Sequence, residues 1–386
     1  MFDTAYAYDF GKWAMQAPHS EERSQLVRTA NRATEGADSQ SRSVEVSRAV
    51  SAEDVLAVAN KIAAFDTRTA LVLDLDKITG LEPNRMSPQW GSVLTNILLG
   101  SLADLSSVKV RLPLTESAQR QVARSGLFFA LSRHPDVSLT QASHNMPDVL
   151  TRWRQDWRPS DFEQTLFSIP GEEDADYPQE LGTDLVAFLN PNLRPVTSSA
   201  EDVDSVVYPW LRKLLSKARI QDAQVRKEVL RNVSFATNEL LSNVRDHAGI
   251  GYDGKCAISL FATGKSEMDS RIYVSVVDDG VGMPSTLQGR SESDETDCEL
   301  VSKAFSGDLP RRHRGRGEGL AIVRDIADRY AGSIFAATGP TSQGSIVYEH
   351  SNGPEGTTKC RAVPNLEVAG TVIVLSLPTS RMAVKA

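Results

Sequence analysis

A carboxylate, an amide and an imidazole share one face of a predicted helix between Gln221 and Ala248. At about 100° per residue, Glu239, Asn243 and Asp246 fall within about 60° of one another, and His247 flanks them. Side chains of these types can activate a water molecule or ligate a cation, although a solvated helix face explains the same pattern. The helix itself is predicted from apolar residues that recur every third or fourth position, namely Val225, Val229, Val233, Ala236, Leu240 and Val244.

A second group of candidate residues follows a predicted strand at Arg271–Asp278. The strand ends in the sequence Asp-Asp-Gly-Val-Gly, which places Asp278, Gly280 and Gly282 close together. Glycines at such a place let the backbone approach a ligand closely, and the carboxylate of Asp278 can accept a hydrogen bond from an exocyclic amine. A tight turn after a strand is the alternative interpretation.

A third group is a glycine loop, Gly-Arg-Gly-Glu-Gly-Leu, that begins at Gly315 and runs into a predicted helix at Ala321–Tyr330. Free backbone N–H groups and the positive end of the helix dipole both face an anion at such a place, so the loop is a candidate phosphate site. The chain has no G-x-x-x-x-G-K-[ST] motif, and no predicted strand directly precedes these glycines, which argues against P-loop and Rossmann sites. An ordinary glycine-rich connector is the alternative interpretation.

Taken together and in this order, the three segments resemble the GHKL, or Bergerat-fold, ATPases, a family that includes histidine kinases, anti-sigma serine kinases and gyrase. The sequence NELLSNVRDHA resembles the N box of the family, VVDDGVGMP its first glycine box and GRGEGLAIVRDIADRYAG its second. Gly370–Pro378 resembles the closing strand. The resemblance covers about residues 200–380 and implies an α/β fold, a two-layer sandwich that binds ATP.

The resemblance also implies a role for each matching polar residue. Glu239 would be the catalytic base that orients or deprotonates water. Asn243 would ligate a Mg²⁺ ion that bridges the ATP phosphates, and His247 would contact a phosphate or the metal shell. Asp278 would recognise adenine. A single protein ligand suits Mg²⁺ because this ion keeps most of its waters when it binds.

The glycines would bring the backbone up to the nucleotide. Gly280 and Gly282 would make room for the nucleotide. The second glycine box would lie against the phosphates and would bind them through Gly315, Gly317, Gly319 and Leu320. Arg314 belongs to a basic cluster next to this box and could clamp the γ-phosphate. Glu318 stands where the family usually has a neutral residue, so we expect its carboxylate to point away from the phosphates. In the family, the segment between the two glycine boxes is a mobile lid over the nucleotide.

Upstream of this region the sequence predicts a smaller α/β domain. Predicted strands at Thr69–Leu75 and Val108–Leu112 alternate with predicted helices at Trp90–Leu105 and Thr115–Leu131. This stretch, about residues 66–140, resembles STAS-like regulatory domains, which present a strand–helix surface to a partner protein, although any α/β fragment fits as well.

Two more helices are predicted before that domain, at Glu21–Ala33 and at Ser51–Ala64, where Ser51 can cap the helix. We therefore divide the chain into a helical N-terminal segment at 1–65, a STAS-like domain with a connector at 66–195 and an ATP-binding domain at 196–386.

Composition limits the partners and the compartment. The 386 residues carry a formal net charge of −8, which disfavours non-specific binding of nucleic acid or anionic lipid. The first residues do not form a leader pattern, and the most apolar segment, Ser92–Leu105, is too short to span a bilayer. Cys256, Cys298 and Cys360 lie far apart and predict neither a zinc site nor a redox pair, which agrees with a reducing cytoplasm.

Three functions are compatible with these features. The first is a bacterial cytoplasmic regulator in which Mg²⁺-dependent ATP binding and slow hydrolysis change the binding of a protein partner through the N-terminal domain or the lid. The second is an anti-sigma-type serine/threonine kinase, and the third is a non-catalytic module that senses nucleotide. Autophosphorylation on a histidine is disfavoured, because none of the six histidines has the setting of a phospho-accepting hairpin. A homodimer is left open.

Overall fold

The fold comes from a computed structural model. The residues that it describes are 42–64, 70–101, 107–113, 137–141, 185–189, 223–247, 256–263, 271–288, 295–309, 318–352 and 356–378, with single positions between 115 and 127.

The N-terminal part of the described chain forms a four-stranded parallel sheet. Its strands lie in sequence order and are β1 (Arg42–Glu45), β2 (Ala70–Asp74), β3 (Ser107–Leu112) and β4 (Val137–Gln141). Parallel neighbours need crossover connections. Helix α1 (Ala52–Ala63) connects β1 to β2, and helix α2 (Pro88–Ser101) connects β2 to β3.

The local sequence explains why α1 begins where it does. The Ser51 hydroxyl accepts a hydrogen bond from the Asp54 N–H at 3.3 Å, and the Asp54 carboxylate accepts one from the Ser51 N–H at 3.1 Å. This reciprocal capping box stabilises a helix by roughly 1 kcal/mol. The predicted helix with Ser51 as its cap is therefore confirmed.

The other predictions for this part of the chain have mixed outcomes. The strands predicted at 69–75 and 108–112 are β2 and β3, and the helix predicted at 90–105 is α2, which begins and ends earlier than expected. The short strands β1 and β4 were not predicted. The helix predicted at 21–33 lies outside the described residues, as does most of the one predicted at 115–131.

The C-terminal part of the described chain forms a seven-stranded antiparallel sheet in the order β10-β9-β8-β11-β7-β6-β5. Its strands are β5 (Leu185–Leu189), β6 (Cys256–Thr263), β7 (Arg271–Asp278), β8 (Ser333–Thr341), β9 (Gly344–Ser351), β10 (Thr357–Val363) and β11 (Gly370–Pro378). Four helices accompany them: α3 (Ala223–His247), α4 (Gly282–Leu287), α5 (Asp297–Ser306) and α6 (Gly319–Arg329). Helices α3 and α6, strands β7 and β11 and the α/β sandwich itself are as predicted. None of the helices in the described ranges is long and apolar enough to cross a membrane.

Both faces of the second sheet are buried. On β7, Ile272, Val274 and Val276 pack in one core with the four helices α3–α6. The alternate residues Tyr273 and Val277 point the other way and pack in a second core, which includes α1, α2 and the first sheet. The first sheet together with α1 and α2, called the N-terminal domain below, therefore covers the face of the second sheet that lies opposite the helices α3–α6.

Strand β5 precedes the domain boundary predicted near residue 195. It pairs with β6 in antiparallel register, so it belongs to the second sheet by its hydrogen bonding. The domain limits at 65 and 195, like the resemblance to STAS-like domains, stay predictions.

The cysteines differ from expectation. Cys298 in α5 and Cys360 in β10 form a disulfide, with their Cα atoms 5.7 Å apart. Their separation of 62 residues in the sequence conceals this contact, which exists because α5 packs beside β10. The prediction that the cysteines form no redox pair is therefore wrong for these two, and the cysteine pattern does not support a reducing cytoplasm.

Candidate functional site

Residues of all three predicted motifs surround one pocket. Helix α3 contributes Asn243 and His247, the end of β7 contributes Asp278, and the N-terminus of α6 contributes Gly319 and Leu320. Gly282, at the start of α4, lines the same pocket. The remaining lining is mostly apolar and includes Leu240, Val244, Val276, Met283, Leu287 and Ile373. An apolar cavity with a few convergent polar groups is typical of a site for a planar organic ligand.

Glu239 lies beside this pocket, against the first residue of α6. A Cβ atom added to Gly319 would come within 2.5 Å of Glu239 Oε2, so only glycine leaves the carboxylate in its present position. Asn232 Nδ2 donates to the Tyr330 hydroxyl, at the end of α6, at 2.8 Å and so links α3 to that end. Arg329 and Glu228 also pair at 2.9 Å, but this pair is half-exposed and contributes little. The predicted base is thereby fixed next to the predicted phosphate-binding helix terminus.

Asn243 presents an unpaired polar group to the site. Its Nδ2 atom is buried and has no hydrogen-bond partner among the described residues. A buried polar atom without a partner costs about 1–3 kcal/mol, so a ligand that satisfies it gains that much. Rotation of the amide by 180° exchanges nitrogen and oxygen, and a carboxamide oxygen together with waters and phosphate oxygens is a suitable set of ligands for Mg²⁺. The side chain therefore fits the metal-binding role that the resemblance implies.

His247 lies one turn after Asn243, at the last residue of α3. Its side chain is exposed and lines the pocket. Because a histidine at the mouth of the pocket can donate a hydrogen bond to an anion, its position fits the predicted contact with a phosphate.

Asp278 is a buried carboxyl group with a strongly shifted pKa. It is 4% exposed, and its Oδ1 accepts a hydrogen bond from the Gly280 N–H at 3.0 Å. Burial raises its pKa from 3.8 to about 7; the Gly280 N–H opposes this shift, the charge of Asp279 adds to it, and the Thr371 N–H opposes it. A buried carboxyl group with a shifted pKa at the wall of a pocket is typical of a functional site.

The first glycine box forms the tight turn that leads from β7 into α4. Gly282 has φ +77°, and a Cβ atom there would come within 2.3 Å of the Gly339 carbonyl oxygen. The next residue fixes the turn, because the Met283 N–H donates to Thr338 Oγ1 at 2.8 Å. The positive φ angle and the close approach to Gly339 therefore both require glycine at position 282, which also lines the pocket.

Part of the second glycine box is not described. Arg314, Gly315 and Gly317 lie outside the described residues, together with the rest of the basic cluster. Glu318 is exposed, and its side chain makes no capping hydrogen bond to α6. The expectation that its carboxylate points away from the phosphates stays a prediction.

The segment between the glycine boxes contains a packed helix. Helix α5 buries Leu300, Val301, Ala304 and Phe305 in the core, and Ala304 also lines the pocket. Apolar residues at helical spacing explain this packing, and a capping box between Thr296 and Glu299 fixes the start of the helix. The predicted lid therefore includes a helix that packs in the core at residues 297–306, and its mobility stays a prediction.

Several residues near Asp278 were not predicted. Gly370 has φ +112°, and a Cβ atom there would come within 2.5 Å of both the Asp278 carbonyl oxygen and the Gly280 nitrogen. Thr371 lines the pocket, and its N–H donates to the Asp278 carboxyl group. The glycine that opens a closing strand was the available signal for this close approach. Asn96, in the N-terminal domain, hydrogen-bonds to the Asp278 backbone, and no sequence motif marks it.

Comparison with known families agrees with this geometry. Residues 230–380 match the family described as histidine kinase-, DNA gyrase B- and HSP90-like ATPase. A comparison with curated proteins found no similar sequence. The matched segment contains Glu239 together with Asn243, His247, Asp278, Gly282, Gly319 and Leu320, the predicted residues at the pocket. The chain therefore carries a GHKL-type ATPase domain at residues 230–380.

Proposed function

We propose that this protein is a Mg²⁺-dependent ATP-binding regulator of the GHKL type, in which slow ATP hydrolysis changes the binding of a protein partner. The observation that carries the proposal is the single pocket lined by Asn243, Asp278 and Gly319. These residues come from the three distant motifs, and each offers the chemistry that one part of ATP requires.

In the proposed complex the adenine lies at the Asp278 end of the pocket. The Asp278 carboxylate accepts a hydrogen bond from the adenine amine, and the apolar lining contacts the ring faces. The triphosphate extends toward the start of α6, where the N–H groups of the first turn and the helix dipole favour anions. His247 lines the same pocket and is proposed to contact a phosphate.

Asn243 is the proposed protein ligand of Mg²⁺. When bound, the cation would neutralise charge on the phosphate oxygens. The unpaired Nδ2 position of Asn243 supports this assignment, because rotation of the amide would place its oxygen there as a ligand.

Glu239 is the proposed base. Its carboxylate accepts a proton from the water that attacks the γ-phosphorus, the bond to the bridging oxygen breaks, and ADP and phosphate leave. Gly319 permits this carboxylate to lie against the phosphate-binding helix terminus. Slow turnover suits a switch, since the ATP-bound state must persist long enough to engage a partner.

The regulatory part of the proposal rests on the N-terminal domain, whose helix α2 packs on β7 and β11 of the ATPase sheet. A change at the pocket can therefore reach a partner-binding surface on that domain or on the lid. The bacterial and cytoplasmic setting that the family resemblance implies stays part of the proposal, but the Cys298–Cys360 disulfide gives it no support.

The test is to measure ATP binding and phosphate release with the purified full chain. We expect calorimetric binding of ATP that weakens when EDTA removes Mg²⁺, and slow phosphate release that Glu239→Gln abolishes while ATP binding remains. Glu228→Gln is the matched control, because Glu228 lies on the same helix and pairs with Arg329 rather than facing the pocket. It should leave both quantities unchanged.

Other outcomes would redirect the proposal. Transfer of the γ-phosphate to a co-purified protein would favour the serine/threonine kinase, and tight ATP binding with no turnover would favour the non-catalytic sensor. Absence of ATP binding in the parent protein would overturn the proposal.

A further inference from the structure

We propose that Asn96, in helix α2 of the N-terminal domain, is a positioning residue for adenine recognition by Asp278. The inference rests on the proposed function, because it assumes that the pocket binds ATP. It assigns part of the nucleotide site to a domain that does not line the pocket.

Asn96 uses its whole amide in contacts with the ATPase domain. Its Nδ2 atom donates to the Asp278 carbonyl oxygen at 2.6 Å and to the Ala369 carbonyl oxygen at 3.0 Å. Its Oδ1 atom accepts from the Ala369 N–H at 2.8 Å. The side chain is 0% exposed, so water cannot replace these bonds. Each of them is therefore expensive to lose.

These bonds lie where strands β7 and β11 stop pairing. The last register pair of the two strands is Asp278 with Thr371, and Gly370 and Ala369 lie immediately beyond it. Asn96 bridges the Asp278 and Ala369 carbonyls at this end and so fixes the backbone that carries the Asp278 side chain. The close approach of Gly370 to Asp278 leaves little space for a different arrangement.

The rest of α2 aligns with β7 in a way that makes the contact specific. Ser92 Oγ and Ser275 Oγ are 2.9 Å apart in the same buried interface, one helical turn before Asn96 and three residues before Asp278. The helix and the strand therefore run in the same direction. Ser92 contacts the middle of β7, whereas Asn96 contacts its functional end.

The expected consequence is a loss of base selectivity. If Asn96 holds the Asp278 backbone, its removal lets the carboxylate move relative to the adenine amine. The ratio of the affinity for ATP to the affinity for inosine triphosphate should then fall. Inosine triphosphate has an oxygen in place of the adenine amine. General destabilisation of the interface would weaken both nucleotides equally and leave their ratio unchanged.

The test measures the affinities of ATP and of inosine triphosphate for the full chain by calorimetry. Asn96→Asp keeps an acceptor for the Ala369 N–H but places an oxygen against the Asp278 carbonyl. We expect it to lower ATP affinity by about tenfold, as loss of about 1.4 kcal/mol implies. We expect the ratio of the two affinities to fall toward one. Ser92→Ala is the matched control, since it removes a buried hydrogen bond from the same interface and should preserve the ratio.

A second variant keeps the test decisive if Asn96→Asp does not fold. Gly100 is exposed near the end of α2, and a methyl group there would come within 2.8 Å of the Ala369 Cβ atom, so Gly100→Ala displaces α2 without changing Asn96. We expect a smaller fall of the ratio in the same direction. Parent-like ratios in folded Asn96→Asp, or in Gly100→Ala when Asn96→Asp does not fold, would overturn the inference and leave the proposed function intact. A parent protein that binds neither nucleotide would instead overturn the proposed function.

Discussion

At the residue scale, Asp278 combines a proposed role in adenine recognition with a pH-dependent effect on stability. Burial disfavours the charged form of this carboxyl group and raises its pKa from 3.8 to about 7. In the unfolded chain the group ionises near 3.8, so between these two values the folded protein binds more protons than the unfolded one. The contribution of Asp278 to stability is therefore complete below pH 3.8 and is lost as the pH rises to about 7.

We predict that Asp278→Asn removes this pH dependence. The free energy of unfolding of the variant relative to the parent should increase with pH between about 4 and 7, by at most about 1.4 kcal/mol per pH unit. Urea denaturation of both proteins at pH 5 and pH 8 measures the difference. Asp325→Asn is the control, because Asp325 is an exposed carboxyl group on α6. A constant difference between Asp278→Asn and the parent at both pH values would contradict the prediction.

The residues of the site differ in how readily the sequence reveals them. Glu239 and Asn243 could be predicted because a long amphipathic helix fixes which residues share a face. Gly319 could be assigned to a phosphate loop, but its contact with Glu239 is a tertiary approach between two helices. Asn96 could not be found, because it lies on a buried helix face of another domain, where an asparagine has no spacing signal.

At the scale of elements, length explains only part of what the sequence could predict, since the five-residue β2 was predicted and the longer β6, β8 and β9 were not. Helix α3 spans 25 residues and β7 spans eight, and both were predicted near their observed limits. Strands β1, β4 and β5 have four or five residues each, too few to establish a period of two. Their pairing with distant strands is what makes them strands.

Helix α5 connects the pocket to a covalent link. It carries Ala304 at the pocket wall and Cys298 in the disulfide to β10. The link closes a loop that includes the second glycine box and α6, since both lie between residues 298 and 360. It thereby restricts the unfolded chain as well as the position of α5.

We predict that removal of this disulfide destabilises the ATPase domain. Cys298→Ser and Cys360→Ser should each lower the free energy of unfolding by about 2–4 kcal/mol, and the double variant should lose no more than either single one. Thermal unfolding under non-reducing conditions measures the effect. Adding a thiol reductant should lower the melting temperature of the parent and leave that of the double variant unchanged. Equal melting temperatures of all four proteins without reductant would contradict the prediction.

At the scale of the whole molecule, the second sheet is the shared element of the two domains. Its apolar runs were a signal, because RIYVSVVD and GTVIVLSLP lack the alternation expected of an antiparallel sheet with one solvated face. The sequence could therefore indicate that both faces are covered. It could not indicate that α2 covers one of them, since that contact joins residues more than 180 positions apart.

Trp90 and Phe335 form an aromatic contact between the two domains across this interface. The Trp90 ring, at the start of α2, packs edge-on against Phe335 of β8, with centroids 5.1 Å apart and planes at 68°. Both residues belong to the core that the first sheet shares with the second. Phe305, by contrast, packs in the core on the opposite face of the second sheet, where it stacks on Tyr348 at 4.3 Å. Trp90 and Phe335 are therefore in contact, whereas Trp90 and Phe305 lie in cores on opposite faces of the sheet.

We predict that a double-mutant cycle distinguishes these pairs. Trp90→Ala and Phe335→Ala should each cost about 3–5 kcal/mol of unfolding free energy, and the double variant should cost about 0.5–1.5 kcal/mol less than their sum, because the second substitution removes a contact already lost. Trp90→Ala combined with Phe305→Ala should be additive within about 0.5 kcal/mol. Urea denaturation of the full chain measures each value. An additive Trp90 and Phe335 pair would contradict the prediction and would mean that these rings do not couple the N-terminal domain to the ATPase sheet.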